Sequence, residues 1–266
     1  MMPQANDFRE ECDVVAELLA PMSDVDFKRP TGFKAWTINH IMQHLHFFNV
    51  MADLSVHDEP RFVREYGEMR AARKTHGETL IDATDRLMEG LKGRALFEEW
   101  RAYYPSMCDR FAVADPKKRV KWAGPDMSVR SSITARLMET WSHTQAIYDL
   151  LGEDRISGDR IKNICVMGIN TFDWTFINRD EPVPEGKPYV RLTAPSGALW
   201  EWNEASNTNR IEGPAEGFCQ VVTQTRNIDD TDLTVIGDVA NRWMAVAQCF
   251  AGPPQTPPAP GTRRKA

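Results

Sequence analysis

The stretch RLMETWSHTQAIYDLLG, residues 136–152, decides how the chain is read. Its apolar residues recur at helical spacing and a glycine closes it, as in an amphipathic helix that ends on a left-handed residue. Glu139 and His143 stand four apart within it. At that spacing two side chains sit about 40° apart around a helix and share one face. One rigid helix then fixes two donors of a kind that a divalent ion accepts. A solvated polar stripe has the same spacing, so the pattern alone leaves both readings open.

A third donor has to come from a neighbouring helix, and the interior of a helical bundle is a usual place for such a site. The chain has six histidines, and three of them, His40, His44 and His46, crowd the segment NHIMQHLHF. His40 and His44 share a face, and His46 turns off it. His44 is the natural candidate because it lies between apolar Ile41 and Phe48. Two imidazoles and one carboxylate leave coordination positions free for water and substrate, the pattern of a catalytic rather than a structural site.

Outward from these segments, the first two thirds of the chain read as helices. Asn6 or Asp7 caps a helix to about Leu19, and Pro21 stops it. Thr37 caps a second through IMQHLHFFNVMADL, and a third helical region runs from Pro60 to Lys92, broken at Gly77. A helix from Arg94 to Ala114 carries Pro105, and a loop leads to Ser128, the cap of the opening helix. A last long helix fits Asp159 to Asn178. The linker RDEPVPEGKP then changes the texture. YVRLTAPSGALWEWN reads as a hairpin around Pro-Ser-Gly, NRIEG and LTVIG as strands, and AEGFCQVVTQT and VANRWMAVAQCF as helices. The division expected is a helical bundle over residues 1–180, a small α+β unit over 187–252 and a disordered proline-rich tail over 253–266. There is no internal repeat.

Composition narrows the function. Of 266 residues, 42% are hydrophobic and 26% charged, with a formal charge of −6 and no broad basic face to follow a phosphate backbone, which argues against nucleic acid. No apolar run approaches the roughly 20 residues needed to span a bilayer. The polar, acidic start MMPQANDFREECD lacks the pattern of a secretory signal. Five scattered cysteines without a CxxC read as reduced, mostly buried thiols. The expectation is a cytoplasmic protein.

The segment GFKAWTINHIMQHL resembles the first signature of the DinB-like and mycothiol-dependent maleylpyruvate isomerase superfamily, and KWAGPDMSVRSSITARLMETWSHTQAIYDLLG resembles the second. LTAPSGALWEWN, IEGPAEGFCQVVTQTRN and ANRWMAVAQCFAG resemble the sterol-carrier-like domain of the isomerase branch, and the chain to about Pro254 is similar to an actinobacterial-type subfamily. The fold class this implies is α plus α+β: a DinB-like four-helix bundle, then a small sterol-carrier-like domain. The resemblance implies one divalent ion, zinc in the isomerase branch, on His44, Glu139 and His143. It also implies a substrate-binding arginine at Arg226, whose guanidinium fork suits a carboxylate. Arg70 and Arg73 are weaker candidates of that kind.

Two departures stand out. His40 occupies a position that is usually acidic, which leaves it as an extra ligand, an outer-shell partner or a surface residue. Ala146 replaces an aspartate often found three residues after the second histidine, which alters what lies behind His143. Trp36 and Trp141 read as core anchors, and Trp122 with Met127 as packing or the mouth of a pocket. The function expected is a metal-dependent enzyme acting on a small carboxylate- or carbonyl-containing substrate, as a thiol-dependent cis–trans isomerase or a thiol transferase with a low-molecular-weight thiol cosubstrate. A metal-dependent hydrolase and a non-catalytic metal or small-molecule binder are the alternatives. A homodimer fits the class, although no seam in the sequence argues for it.

Overall fold

A computed structural model describes residues 1–263 and divides the chain into two compact units, Met1–Ile147 and Tyr148–Ala266. In the first unit four long helices surround the core: α1 (Pro3–Leu19), α2 (Ile38–His57), α5 (Gly93–Val113) and α6 (Val129–Leu151). Two further helices, α3 (Glu59–His76) and α4 (Leu80–Leu87), pack on α2. The boundary between the units falls inside α6.

Local chemistry accounts for the ends of these helices. Thr37 caps α2, Asp58 caps α3 with Pro60 in its first turn, and Ser128 Oγ accepts the Ser131 N–H at the start of α6. Gly77 takes a left-handed φ of 65° at the end of α3, and Gly152 one of 70° after α6. Pro105 lies inside α5 without ending it. The expected loop before α6 contains a two-stranded antiparallel ribbon, β1 (Arg119–Val120) and β2 (Met127–Ser128). Strands this short carry too little alternation to be seen in sequence. The core is filled by fully buried Phe8, Leu45, Phe97, Trp100, Phe111, Leu137 and Trp141. No helix among the described residues is long and apolar enough to cross a membrane.

The second unit contains α7 (Lys162–Asn170), α8 (Phe172–Ile177), α9 (Ala215–Val222), α10 (Asp238–Val246) and a mixed sheet in the order β4-β3-β5-β6. β3 (Tyr189–Thr193) and β4 (Leu199–Trp202) form the expected hairpin, closed by the Ala198 carbonyl accepting from Ala194 N–H at 2.8 Å. β5 (Arg210–Pro214) runs parallel to β3, and β6 (Thr234–Ile236) antiparallel to β5. Val190, Leu192, Trp200 and Ile211 are buried while Arg191 and Glu201 between them are exposed, the alternation of a sheet with one covered face.

Two expectations about the organisation of the chain change. The helix expected over Asp159–Asn178 breaks at Thr171 and groups with the sheet unit rather than the bundle, so the boundary lies at 147/148, not near 180. Close packing explains this: a Cβ added at Gly168 on α7 would lie 2.9 Å from Phe218 and 3.0 Å from Val222, both on α9. The proline-rich segment expected to be disordered is tied down as far as Arg263. Gln255 N–H donates to Gln248, Asn227 to the Pro258 carbonyl, Gly261 N–H to Asp230 and Arg263 to the Gln224 carbonyl. Composition misses this because the partners are backbone groups and polar side chains, not a core. The last three residues of that expected tail lie outside the described residues.

Gly168→Val should destabilise the second unit by about 1–3 kcal/mol, the usual cost of overpacking a tight contact. Gly67→Ala, mid-helix in α3 with nothing within 4 Å of the added carbon, should instead stabilise by roughly 0.5–1 kcal/mol. Thermal melts of the full chain check both, and an unchanged melt for Gly168→Val would contradict the packing described.

Candidate metal centre

The site begins with how α2 and α6 are held against each other. Arg136, on α6, is 1% exposed. Its Nε donates to Asn49 Oδ1 at 3.0 Å and its Nη2 to the Leu45 carbonyl at 3.4 Å, both on α2. One turn further along α6, Glu139 meets His44, one residue earlier on α2 than Leu45. The contacts advance along one helix as they retreat along the other, so the two run antiparallel.

His44 Nε2 lies 3.0 Å from Glu139 Oε2, and His143 Nε2 lies 3.1 Å from the same oxygen. The three donor atoms fall within 4.8 Å of one another. Donors around a tetrahedral ion with bonds of about 2.0–2.1 Å stand roughly 3.3 Å apart, so these side chains need only small adjustments to hold one. The donor set therefore fits a divalent metal. Among the described residues no other group of histidine, cysteine, aspartate and glutamate side chains converges in this way.

Burial, reinforced by His143, takes the His44 imidazole down to about 4 against the opposing pull of Glu139. At neutral pH that ring is uncharged and has a lone pair for an ion. Burial alone would raise the Glu139 carboxyl, but hydrogen bonds from His143 and His44 outweigh it and hold the group well below its ordinary value. Glu139 is thus ionised, with the Arg136 cation nearby on the same helix.

Aromatic rings surround the imidazoles. Trp36 stacks on His143 at 5.8 Å and 15°, Phe33 meets His143 edge-on at 5.0 Å, and Phe48 lies 4.9 Å from His44. The turn before α2 presents the first two. Lys34 and Ala35 both take positive φ, 50° and 55°, and the Phe33 carbonyl accepts from Trp36 N–H at 2.8 Å. Two consecutive non-glycine residues in that region are strained. Trp36 is therefore a half-buried wall of the site rather than the core anchor expected, whereas Trp141 is fully buried. His44 Nδ1 is buried with no hydrogen-bond partner among the described residues, so ring packing orients this imidazole where a carboxylate or carbonyl usually would.

The other residues singled out in the sequence lie elsewhere. His40 sits outside the triad and closes the capping box of α2: its Nδ1 accepts the Thr37 N–H at 3.3 Å while Thr37 Oγ1 accepts the His40 N–H at 3.2 Å. An acidic residue at this position can perform the same task, which accounts for the departure in chemical terms. Trp122 packs, stacking on Phe62 at 6.1 Å and meeting Phe48 at 6.2 Å. Arg70 and Arg73 are exposed on α3 beside Tyr66. Arg226, in the second unit, grips both oxygens of Asp149 with its guanidinium fork, and the two side chains are only 12% and 14% exposed. Sequence reasoning missed Arg136 and Phe33, and took Phe48 only as an apolar neighbour of His44 in sequence. The available signal for Arg136 was a charged residue one turn before Glu139, set between Ala135 and Leu137.

Long helices that aim two imidazoles and a carboxylate at one point, followed by a small mixed-sheet unit, define a helical protein with a candidate metal centre. Residues 8–148 match the model of the mycothiol maleylpyruvate isomerase N-terminal domain, and the chain belongs to that family. Uncharacterised proteins from two strains of Mycobacterium tuberculosis are each 32% identical over 252 residues, covering 95% of this chain and 96% of theirs. The crystal structures of a mycothiol-dependent maleylpyruvate isomerase and of a mutant of it are similar in fold. Each aligns with a TM-score of 0.51 at 13% identity, over 82% of this chain and 87% of the other.

His40→Ala should cost about 1 kcal/mol through the lost cap and leave metal content unchanged, while His40→Glu should keep both. Thermal melts with elemental analysis check this, and loss of metal from His40→Ala would make the residue a ligand.

Proposed function

We propose that this protein is a divalent-metal-dependent enzyme that acts on a small carboxylate- or carbonyl-containing substrate, with a low-molecular-weight thiol as cosubstrate, as a cis–trans isomerase or a thiol transferase. The observation that carries the proposal is the convergence of His44, Glu139 and His143 in a chain of this family. Zinc suits two imidazoles and a carboxylate, a set that leaves a coordination position free. An ion held by these residues supplies Lewis acidity and keeps a thiol ionised at neutral pH.

The chain's own residues prepare the reaction. Phe33, Trp36 and Phe48 present apolar ring surface around the imidazoles, which restricts water and strengthens electrostatic interactions inside the site. Arg136 locks the register that brings His44 to Glu139. The five cysteines are buried and form no disulfide, and none belongs to the triad, which supports a thiol brought in from outside. In the isomerase version, thiolate adds to one carbon of a cis double bond conjugated to a carbonyl, and the electron pair moves to the carbonyl oxygen. The new single bond turns, the pair returns and thiolate leaves, giving the trans product with no net change in atoms. In this reading Arg226 takes a substrate carboxylate by exchanging it for Asp149.

The test is a screen of cis-alkenoates resembling maleylpyruvate with mycothiol, the thiol of the structurally similar isomerase, with glutathione and with no thiol. Turnover is expected only with thiol, and equal rates without it would remove the mechanism. On any substrate found, Arg226→Gln should raise KM more than it lowers kcat; an unchanged KM would take Arg226 out of substrate binding.

A further inference from the structure

The turn after α9 reads QTRN, residues 224–227. Gln224 takes a left-handed φ of 56°, which a non-glycine residue keeps only where its surroundings enforce it. Its buried side-chain amide does so, donating to the Ala247 carbonyl at 3.0 Å and the Gln255 carbonyl at 3.2 Å. Two consecutive carbonyls of this turn then each take a guanidinium. Gln224 accepts from Arg263 Nη1 at 2.7 Å, and Thr225 accepts from Arg226 Nη1 at 3.0 Å. Consecutive residues stand about 3.8 Å apart along a chain, so the two cations are neighbours.

Arg226 also grips Asp149, with Nη1 2.8 Å from Oδ2 and Nη2 2.5 Å from Oδ1. Burial first, and then the Arg226 cation, push the Arg263 pKa down while Asp149 pulls it up, so all three charges act on one another. A largely buried carboxylate that loses its cation is strongly unfavourable. If Arg226 turns to a substrate carboxylate, Asp149 therefore needs another cation, and Arg263 is the one beside it.

We propose that Arg263 is a positioning residue that takes over Asp149 when Arg226 turns to the carboxylate of a substrate. This rests on the reading of Arg226 as the substrate-binding fork. A guanidinium carries five N–H donors, so Arg263 can keep the Gln224 carbonyl and still meet a carboxylate. Its charge weakens the hold of Asp149 on Arg226 before binding and compensates Asp149 afterwards. Arg263 itself makes no contact with the substrate, which separates this role from that of a second substrate-binding arginine.

The probe is maleate, a small cis-alkenoate, titrated calorimetrically into the full-length protein and its variants, with thermal melts confirming the fold of each. The parent should bind maleate saturably, and Arg226→Gln should weaken it at least about tenfold. Arg263→Gln should also weaken it about tenfold, and Arg263→Lys, which keeps the charge, less than about threefold. Asp149→Asn should bind at least as tightly as the parent. Adding Arg263→Gln to Asp149→Asn should change affinity less than about twofold, because no carboxylate is left to strand. Full affinity in Arg263→Gln, or the same tenfold loss on adding it to Asp149→Asn, would overturn the proposal while leaving Arg226 as the fork. The second of these would make Arg263 a direct contact of the ligand. No maleate binding by the parent, or full affinity in Arg226→Gln, would remove the reading of Arg226 and the proposal with it.

Discussion

Arg136 is the constraint on which the candidate centre depends. A guanidinium buried to 1% exposure is costly unless it finds acceptors, and here α2 supplies two, Asn49 Oδ1 and the Leu45 carbonyl. Burial lowers its pKa from the usual arginine value only to about 10, so it remains charged at neutral pH. Sliding α6 along α2 by one turn would strand that charge and separate Glu139 from His44 in the same movement. The interaction that locks the helix pair therefore also assembles the donors. A methionine at 136 would fill similar space without specifying the register.

The surroundings of His44 differ from the common arrangement in which a carboxylate or carbonyl stands behind a metal-bound imidazole, because its Nδ1 has no hydrogen-bond partner among the described residues. Phe48 and Trp36 hold His44, and Trp36 and Phe33 hold His143. Rings fix an imidazole's plane but do not raise its basicity as a hydrogen-bonded carboxylate does. They also keep the site apolar up to the donors themselves, so the charge on Glu139 and the neighbouring Arg136 dominate its field. Strain at Lys34 and Ala35 accompanies the turn that brings Phe33 and Trp36 into place.

Much of this was legible in the sequence, for identifiable reasons. The helices announce themselves through caps such as Thr37, Asp58 and Ser128 and through the stop at Gly77, because these signals are local. The Glu139–His143 spacing follows from helical geometry, and the family resemblance singles out His44 as their partner. What stayed hidden depends on contacts between distant segments. The assignment of α7 to the second unit rests on a missing Cβ at Gly168, and the ordering of the proline-rich segment rests on backbone acceptors that composition does not reveal. His40 suggested a ligand by residue type, yet its position as the third residue of a capped helix decides its role. Arg226 was readable as a carboxylate-binding fork, but not that Asp149 would hold it.

The central claim is that His44, Glu139 and His143 together hold one divalent ion. Elemental analysis of the purified full-length protein, beside His44→Ala, Glu139→Ala and His143→Ala variants whose folding is confirmed by circular dichroism, tests it most directly. About one ion per chain in the parent and a marked loss in each folded variant is the result this structure predicts. Full metal content in any folded single variant, or no metal in the parent even after incubation with zinc, would contradict it.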